Sequence, residues 1–456
     1  MAKITILGAG LAGISASYHL GHQNCQIFEK NNYLGGHIHS DSRNGFVWDE
    51  GPHVSFTSND YVKELFDKNV EAEFWDYPVE TTNYFEGKWI PHPAQSNLWS
   101  LPNELKEKCL DSFLSSRDTK NHKINNYEDW LIAAFGKVFY ENFPRKYTEK
   151  YWTVSPKDLT TDWVGNRVYY PEIEDVKQGA IAKLQNQTHY IKKIRYPKSG
   201  GYFSFARKMY DNSQIELNKE LQYIDFDQSL IKFTDGTSHS YSKLINTIPL
   251  PILIERSNAP EEIKEAVQKL ACSSVLLVNI IADHATVRKE NWMYIYDQDK
   301  WSTRINCTEL LSPSNGVTGQ TGVQVEVYFS DYKKCTVSHE QIAKEVIEEI
   351  AEMGLIESKD KVINHHTRWV DWANVIFDHH RKEALNNVLA YLETKGLIRE
   401  DDDLLPMTDW NNKESQNMGK INLAGRFAQW KYYWTDDCVL RGKALGNINH
   451  SEKSSK

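Results

Sequence analysis

Cysteine is scarce and unpatterned: six thiols in 456 residues, at Cys25, Cys109, Cys272, Cys307, Cys335 and Cys438, with no CxxC spacing. That argues against a disulfide framework and against zinc, so no metal is expected, and it fits a reducing cytoplasm. No apolar run is long enough to span a bilayer, and strand-like residues begin at Ile4, leaving no room for a signal peptide. A cytoplasmic, membrane-free location is the expectation. There is no basic excess either. Lys and Arg number 53 against 62 Asp and Glu, a formal charge of −9, which speaks against a general nucleic-acid or membrane-surface role. An anionic ligand must therefore be held by local arginines. Repeats and low-complexity tracts are missing as well. A chain of this length that is 40% hydrophobic can bury a large core and divide into two or three domains.

What the sequence does contain is concentrated in Lys3 to Gly36. Ile4, Ile6 and Leu7 form a short apolar strand, Gly8, Gly10 and Gly13 supply GxGxxG at its end, and Leu11 to Leu20 carry helical apolar spacing. The first glycine permits the tight turn, the second lets backbone N–H groups approach a pyrophosphate at the helix N-terminus, and the third lets helix and strand pack closely. Glu29, nineteen positions after Gly10, closes a second strand where an acid would accept hydrogen bonds from ribose hydroxyls. Gly35-Gly36 follows, offering bare backbone to a second phosphate region, and this favours FAD over NAD. A basic residue is expected after that glycine pair. Here it is His37.

Further along, Gly45 to His53 reads as a short strand running into a Gly-Pro turn that places His53 near the expected cofactor. Tyr84 to Pro91 alternates around Glu86-Gly87 as a hairpin. Leu101 to Phe143 reads as a helical insertion. Ile215 to Ile248 alternates as strands with an Asp235-Gly236 turn, and Val275 to Ile281, Trp292 to Tyr296 and Val323 to Phe329 suggest a sheet over the flavin, flanked by helices near residues 339–353 and 380–395. Lys420 to Ala424 is a strand leading to Gly425-Arg426, and Asp437 to Leu445 a helix whose N-terminus can face the cofactor. The fold class expected is α/β: a Rossmann-like FAD-binding domain (1–80 with about 200–260 and 410–456), a helical insertion (about 95–195) and an antiparallel-sheet substrate domain (about 81–94 with 261–409). The 14 Trp and 24 Tyr suit sugar and flavin pockets as well as a core.

Taken together, EGPHVSF (50–56), KWIPHPAQSNL (88–98), YTEKYW (147–152), GNRV (165–168), RYPKSGG (195–201), WMY with Arg304 beyond it, and GRFAQWKYYWTDD (425–437) resemble the UDP-galactopyranose mutase family, nearer its eukaryotic branch. The family sits within the wider amine oxidase and protoporphyrinogen oxidase-like group. The likeness runs almost end to end. It departs where Thr148 replaces an asparagine and where Asp371 to Asn374 replace a GYP segment.

The resemblance implies interconversion of the pyranose and furanose forms of UDP-galactose, or a related UDP-hexose, through a covalent adduct at N5 of reduced flavin, for cell-surface glycan precursors. By position, Arg167 and Arg304 correspond to the diphosphate clamp, Tyr294 and Tyr432 to diphosphate hydrogen-bond donors, Trp152 to the sugar-site tryptophan and His53 to a flavin-adjacent histidine. Gly425, Arg426 and Asp437 fall in the closing flavin block. NAD(P)H is a candidate reductant, and a homo-oligomer is left open. The rival reading is an FAD-dependent amine oxidase-like oxidoreductase, which the arginine pair disfavours because its substrate is neutral or cationic. UDP binding separates the two.

Overall fold

The computed structural model describes residues 3–118, 123–165, 168–184, 191–399 and 418–454. Its centre is a five-stranded parallel sheet in the order Ile421–Leu423, Leu244–Asn246, Ile4–Leu7, Cys25–Phe28, Ile215–Glu216. Four of these strands are short, near-continuous apolar runs, as a sheet covered on both faces requires. The helix Leu11–Leu20 packs beside the sheet and against the final helix, Thr435–Ser454. The chain therefore leaves this sheet after residue 28 and returns to it three times.

The first excursion makes a helical layer: Asn103–Asp118, Tyr127–Phe135, Lys137–Asn142, Pro144–Tyr151 and Ile173–Ile181. Local chemistry sets its breaks. Asn126 caps the second of these helices by accepting the Asp129 N–H at 2.9 Å. Pro144 opens the fourth at the position where its missing N–H costs nothing.

The second large element is a seven-stranded sheet, Val362–Val375, Cys272–Ala282, Thr321–Phe329, Arg304–Cys307, Trp292–Ile295, Thr81–Phe85, Lys88–Pro91, antiparallel except where Trp292–Ile295 runs parallel to Thr81–Phe85. The hairpin at Glu86-Gly87 closes its edge with both residues at positive φ, 46° and 76°. The Asp235-Gly236 turn belongs to a separate three-stranded sheet, Leu221–Asp225, Leu230–Phe233, Ser238–Ser240.

Strand periodicity gives the seven-stranded sheet two unlike faces. Met293, Ile305, Val325, Val278 and Val327 turn one way and pack on Ile342, Val346 and Ile350 of the helix His339–Glu352. Each such fully buried side chain contributes roughly 1.5–3 kcal/mol. The intervening residues include a polar patch in which the register sets Tyr294 opposite Arg304, Arg304 opposite Glu326, and Asn306 and Asn279 on either side of Gln324, bordered by apolar Val275, Leu277 and Ile281. This polar face holds the segment before His53 by its backbone: Thr308 Oγ1 donates to the Val47 carbonyl at 2.7 Å and Gln324 Nε2 to that of Asp49 at 2.9 Å. Among the described residues no helix is long and apolar enough to cross a membrane, and no cluster of His, Cys, Asp or Glu forms a metal site.

Candidate functional site

A cavity of about 1000 Å³ opens at the C-terminal ends of the parallel strands, where open α/β sheets bind ligands. Gly8, Gly10, Glu29, Gly35, Gly36, His53, Gly425 and Arg426 all line it. Gly13 does not. A Cβ there would sit 2.1 Å from the Gly8 carbonyl oxygen, so this glycine serves the close approach of helix to strand.

Gly10 stands in a different situation. Its φ is −73°, which any residue adopts, and the nearest atoms to an added Cβ are 3.9 Å away. Neither backbone conformation nor packing demands glycine there. What the position offers is bare backbone at the start of Leu11–Leu20, a helix with no side-chain N-cap, facing the cavity. Uncapped N–H groups and the helix dipole make that end an anion site. Gly36 approaches it from the other side, an added Cβ meeting Gly10 Cα at 3.0 Å. Glu29 braces the turn: Oε2 accepts the Ala9 N–H at 2.8 Å and Oε1 that of Asn31 at 2.9 Å, which leaves lone pairs on each oxygen toward the cavity. These donors, the paired glycines and the cavity volume fit an adenine dinucleotide.

Elsewhere in the lining, the Nδ1 of His53 lies 3.2 Å from the Gly51 carbonyl. Burial pushes its imidazole down to about 4, against that hydrogen bond, so the ring is neutral at pH 7. Arg426 donates to the Tyr433 and Ala373 carbonyls at 2.8 and 3.1 Å, which aims it across the cavity wall and over the Tyr432 ring, 5.7 Å from its centroid. Asp437 is not among the residues of the cavity lining. Its Oδ2 accepts the Trp434 N–H at 2.8 Å, capping the last helix, and Thr435 and Cys438 are the residues of that helix that reach the cavity.

From Arg426 a chain of aromatic rings leads away from the cavity. Tyr432 lies 5.5 Å from Trp152, Trp152 5.3 Å from Tyr151, and Tyr151 4.8 Å from Tyr328 and 5.6 Å from Tyr147. Tyr147 meets Tyr294 edge-on at 5.4 Å. Arg304 sits among these tyrosines, gripped by Glu326 through two bonds, Nε to Oε2 at 2.5 Å and Nη2 to Oε1 at 2.8 Å. Burial works against the charge of Arg304, but Glu326 outweighs it and holds the guanidinium ionised. Burial also pushes the phenols of Tyr147 and Tyr328 well above their ordinary range, and Tyr294 upward, so all three are donors at pH 7.

The structure thus brings Arg304, Tyr294, Tyr432 and Trp152 into one aromatic region beside the cavity, not into its lining. Arg167 lies outside the described residues. Thr148 is buried, and of the 371–374 segment Asp371 and Trp372 line the cavity while Asn374 accepts from the Tyr151 hydroxyl at 3.3 Å. Sequence reasoning missed the partners: Glu326, whose register opposite Arg304 is invisible before the strands are paired, and Arg368, from the strand Val362–Val375. The alternation in VQVEVYF was the one signal that could have placed Glu326 on the polar face.

The sequence profile of the family described as flavin containing amine oxidoreductase matches residues 11–442. Among curated proteins, the chain is 30% identical over 98 residues to protoporphyrinogen oxidase 2, chloroplastic/mitochondrial, of Arabidopsis thaliana, covering 21% of this chain and 19% of that protein. It is 36% identical over 295 residues to the 4,4'-diapophytoene desaturase (4,4'-diaponeurosporene-forming) of Staphylococcus aureus (strain Newman), 56% of each. The match thus spans from 19% to 56% of the length of these curated relatives. Among solved structures, that of reduced UDP-galactopyranose mutase superposes with a TM-score of 0.87 at 23% identity, over 98% of this chain and 95% of the other. A putative protoporphyrinogen oxidase from Exiguobacterium sp. 255-15 gives 0.71 at 14% identity over 100% and 99%. At these identities the structural likenesses carry the fold alone.

Proposed function

The chain belongs to the flavin containing amine oxidoreductase family and its cofactor is FAD; from this premise we propose that it is a flavin-dependent mutase that interconverts the pyranose and furanose forms of UDP-galactose or a related UDP-hexose. The observation that carries the reading is the cluster of protonated tyrosines around an ionised arginine in the aromatic region beside the cavity. Such a site offers several neutral donors and one permanent charge to a dianionic diphosphate, and aromatic faces to a sugar. A protonated amine would meet the same guanidinium as repulsion, and a neutral one would leave its charge unmatched.

Two nitrogens of Arg304 already serve Glu326, and Nη1 makes no hydrogen bond among the described residues. In this reading Glu326 fixes the plane of the fork and the free edge of the guanidinium binds a phosphate oxygen, with Arg167 as its partner. Tyr294, its hydroxyl oriented by the Trp292 indole N–H at 2.8 Å, and Tyr432 donate to the diphosphate. Their bonds strengthen as charge grows on the departing UDP, which is where fixed donors lower a barrier. Trp152, buried against Tyr432 and Trp163, closes the sugar end to water. Reduced flavin, when bound, supplies the nucleophile and keeps its electrons over the cycle. Neutral His53 gives and takes no charge at pH 7, so its part is to position.

The test is titration of the purified protein with UDP, followed by turnover of UDP-galactopyranose with dithionite-reduced enzyme. Binding of UDP with furanose product supports the proposal. Indifference to UDP, together with consumption of an oxidant by an amine, favours an amine oxidase-like oxidoreductase.

A further inference from the structure

The glycine pair at 35–36 calls for a cation near the dinucleotide phosphates, and His37, the residue that follows it in sequence, has one ring nitrogen engaged by a carboxylate. The Nδ1 of His37 lies 3.0 Å from Oε2 of Glu50, a hydrogen-bonding contact in the cavity lining, and its side chain is 46% exposed. Glu50 is nearly covered, 9% exposed, and its other oxygen accepts from Nη2 of Arg368. Burial pushes the Glu50 carboxyl up, but the His37 bond and the charges of His37 and Arg368 hold it below the usual range, so the carboxylate is ionised.

Arg368 comes from another part of the molecule. It stands on Val362–Val375, the edge strand of the seven-stranded sheet, yet it lines the cavity beside Tyr33, His37 and Glu50 of the nucleotide unit. Its Nη2 also donates to the Tyr33 hydroxyl at 3.1 Å, and the guanidinium carbon lies 5.6 Å from the centre of that ring. Those contacts use a single nitrogen. Nε and Nη1 make no hydrogen bond among the described residues, and the side chain keeps 27% of its surface.

We propose that Arg368 is a cofactor-binding residue, the cation that the antiparallel sheet contributes to the diphosphate of FAD in place of a basic residue after Gly36. Tyr33 and Glu50 hold one corner of the guanidinium and present the rest to the cavity, where the only anionic part of FAD is its diphosphate. A fork fixed in this way suits phosphate oxygens better than a free lysine would. The contact also ties the sheet that carries Arg304 to the nucleotide unit. This inference needs FAD but not the mutase reaction.

The experiment uses the full chain stripped of flavin and titrated with FAD at 50 mM and 300 mM salt, monitored by quenching of flavin fluorescence, for wild type, Arg368→Gln, Arg368→Lys and Glu50→Gln. Loss of one charge-assisted contact should raise the Kd of Arg368→Gln about ten- to a hundredfold and flatten its salt dependence. Arg368→Lys should recover part of the loss. Glu50→Gln should bind FAD at least as tightly as wild type, because the guanidinium loses a competing anion. An unchanged Kd in Arg368→Gln refutes the assignment. So does equal weakening in Arg368→Gln and Glu50→Gln with the wild-type salt dependence, which is the behaviour of a purely structural ion pair. Should Arg368→Gln fail to fold, the Kd and salt slope of Arg368→Lys decide alone, and wild-type values there reject the proposal.

Discussion

Replacing Arg304 by alanine removes two things at once, and the structure gives a size to each. The first is structural. Glu326 has only 3% of its side chain exposed and both its oxygens face Arg304, so the truncation leaves a buried carboxylate without its counter-charge. Breaking a buried pair in this way costs about 3–5 kcal/mol. With unfolding entropy of ~2.1 cal/mol/K per residue over 456 residues, 1 kcal/mol moves Tm by about 1 °C. A fall of about 3–5 °C is expected. The second, on the proposed reading of the site, is functional: two charge-assisted bonds to a diphosphate, about 3–4 kcal/mol, or roughly a few hundredfold in kcat/KM. The double variant Arg304→Ala/Glu326→Gln separates them, since a neutral amide has no charge to strand. It should regain most of the Tm and none of the rate. Differential scanning fluorimetry and the furanose assay on both variants supply the measurements. A double variant that recovers kcat/KM along with stability would show that Arg304 acts only as the partner of Glu326.

Three further outcomes are expected. Gly10→Ala should fold with a Tm near wild type but bind FAD at least tenfold more weakly, whereas Gly13→Ala, with a Cβ 2.1 Å from Gly8 oxygen, should lose several degrees even without cofactor; equal behaviour of the two would contradict the cradle at Gly10. Asp49 is buried, accepts from Ser40, Tyr196 and Tyr202, and burial raises its carboxyl from 3.8 to about 6. With the folded value above the unfolded one, its stabilising contribution is complete below pH 3.8 and is lost as pH rises through 6. Relative to wild type, Asp49→Asn should therefore gain about 2–2.5 kcal/mol on going from pH 4 to pH 8, read from denaturant unfolding at the two pH values, and a gap independent of pH would rule this out. His53, pushed down to about 4, should show no imidazole titration by NMR between pH 5.5 and 8.

The nucleotide unit was legible because each of its signals is local: an apolar strand, three glycines at fixed offsets and an acid at the end of the next strand. The two turns at Glu86-Gly87 and Asp235-Gly236 were legible for the same reason, since turn chemistry needs no distant partner. Strand Val362–Val375 was not recognised. It is an edge strand, half-buried over most of its length, and its sequence VINHHTRWVDWANV mixes charge with aromatics instead of alternating apolar and polar. The functional reason for that mixture, a cavity lined by Arg368, Asp371 and Trp372, exists only once the sheet lies against the nucleotide domain. Arg304 was found by motif, but its fixed pairing with Glu326 follows from a register between strands 22 residues apart in sequence, which no periodicity encodes. Asp437, placed by the same motif in the flavin block, turned out to cap its own helix.

The central claim is that this flavoprotein isomerises a nucleotide sugar and keeps its electrons. Incubating the dithionite-reduced protein with UDP-galactopyranose under anaerobic conditions, and resolving the products by anion-exchange chromatography, tests it directly. The expected result is UDP-galactofuranose at a constant equilibrium fraction, with flavin still reduced at the end and no turnover by the oxidised protein. The contradicting result is no furanose product from the reduced protein at substrate levels that saturate UDP binding, or a product whose formation reoxidises or consumes the flavin electrons one for one.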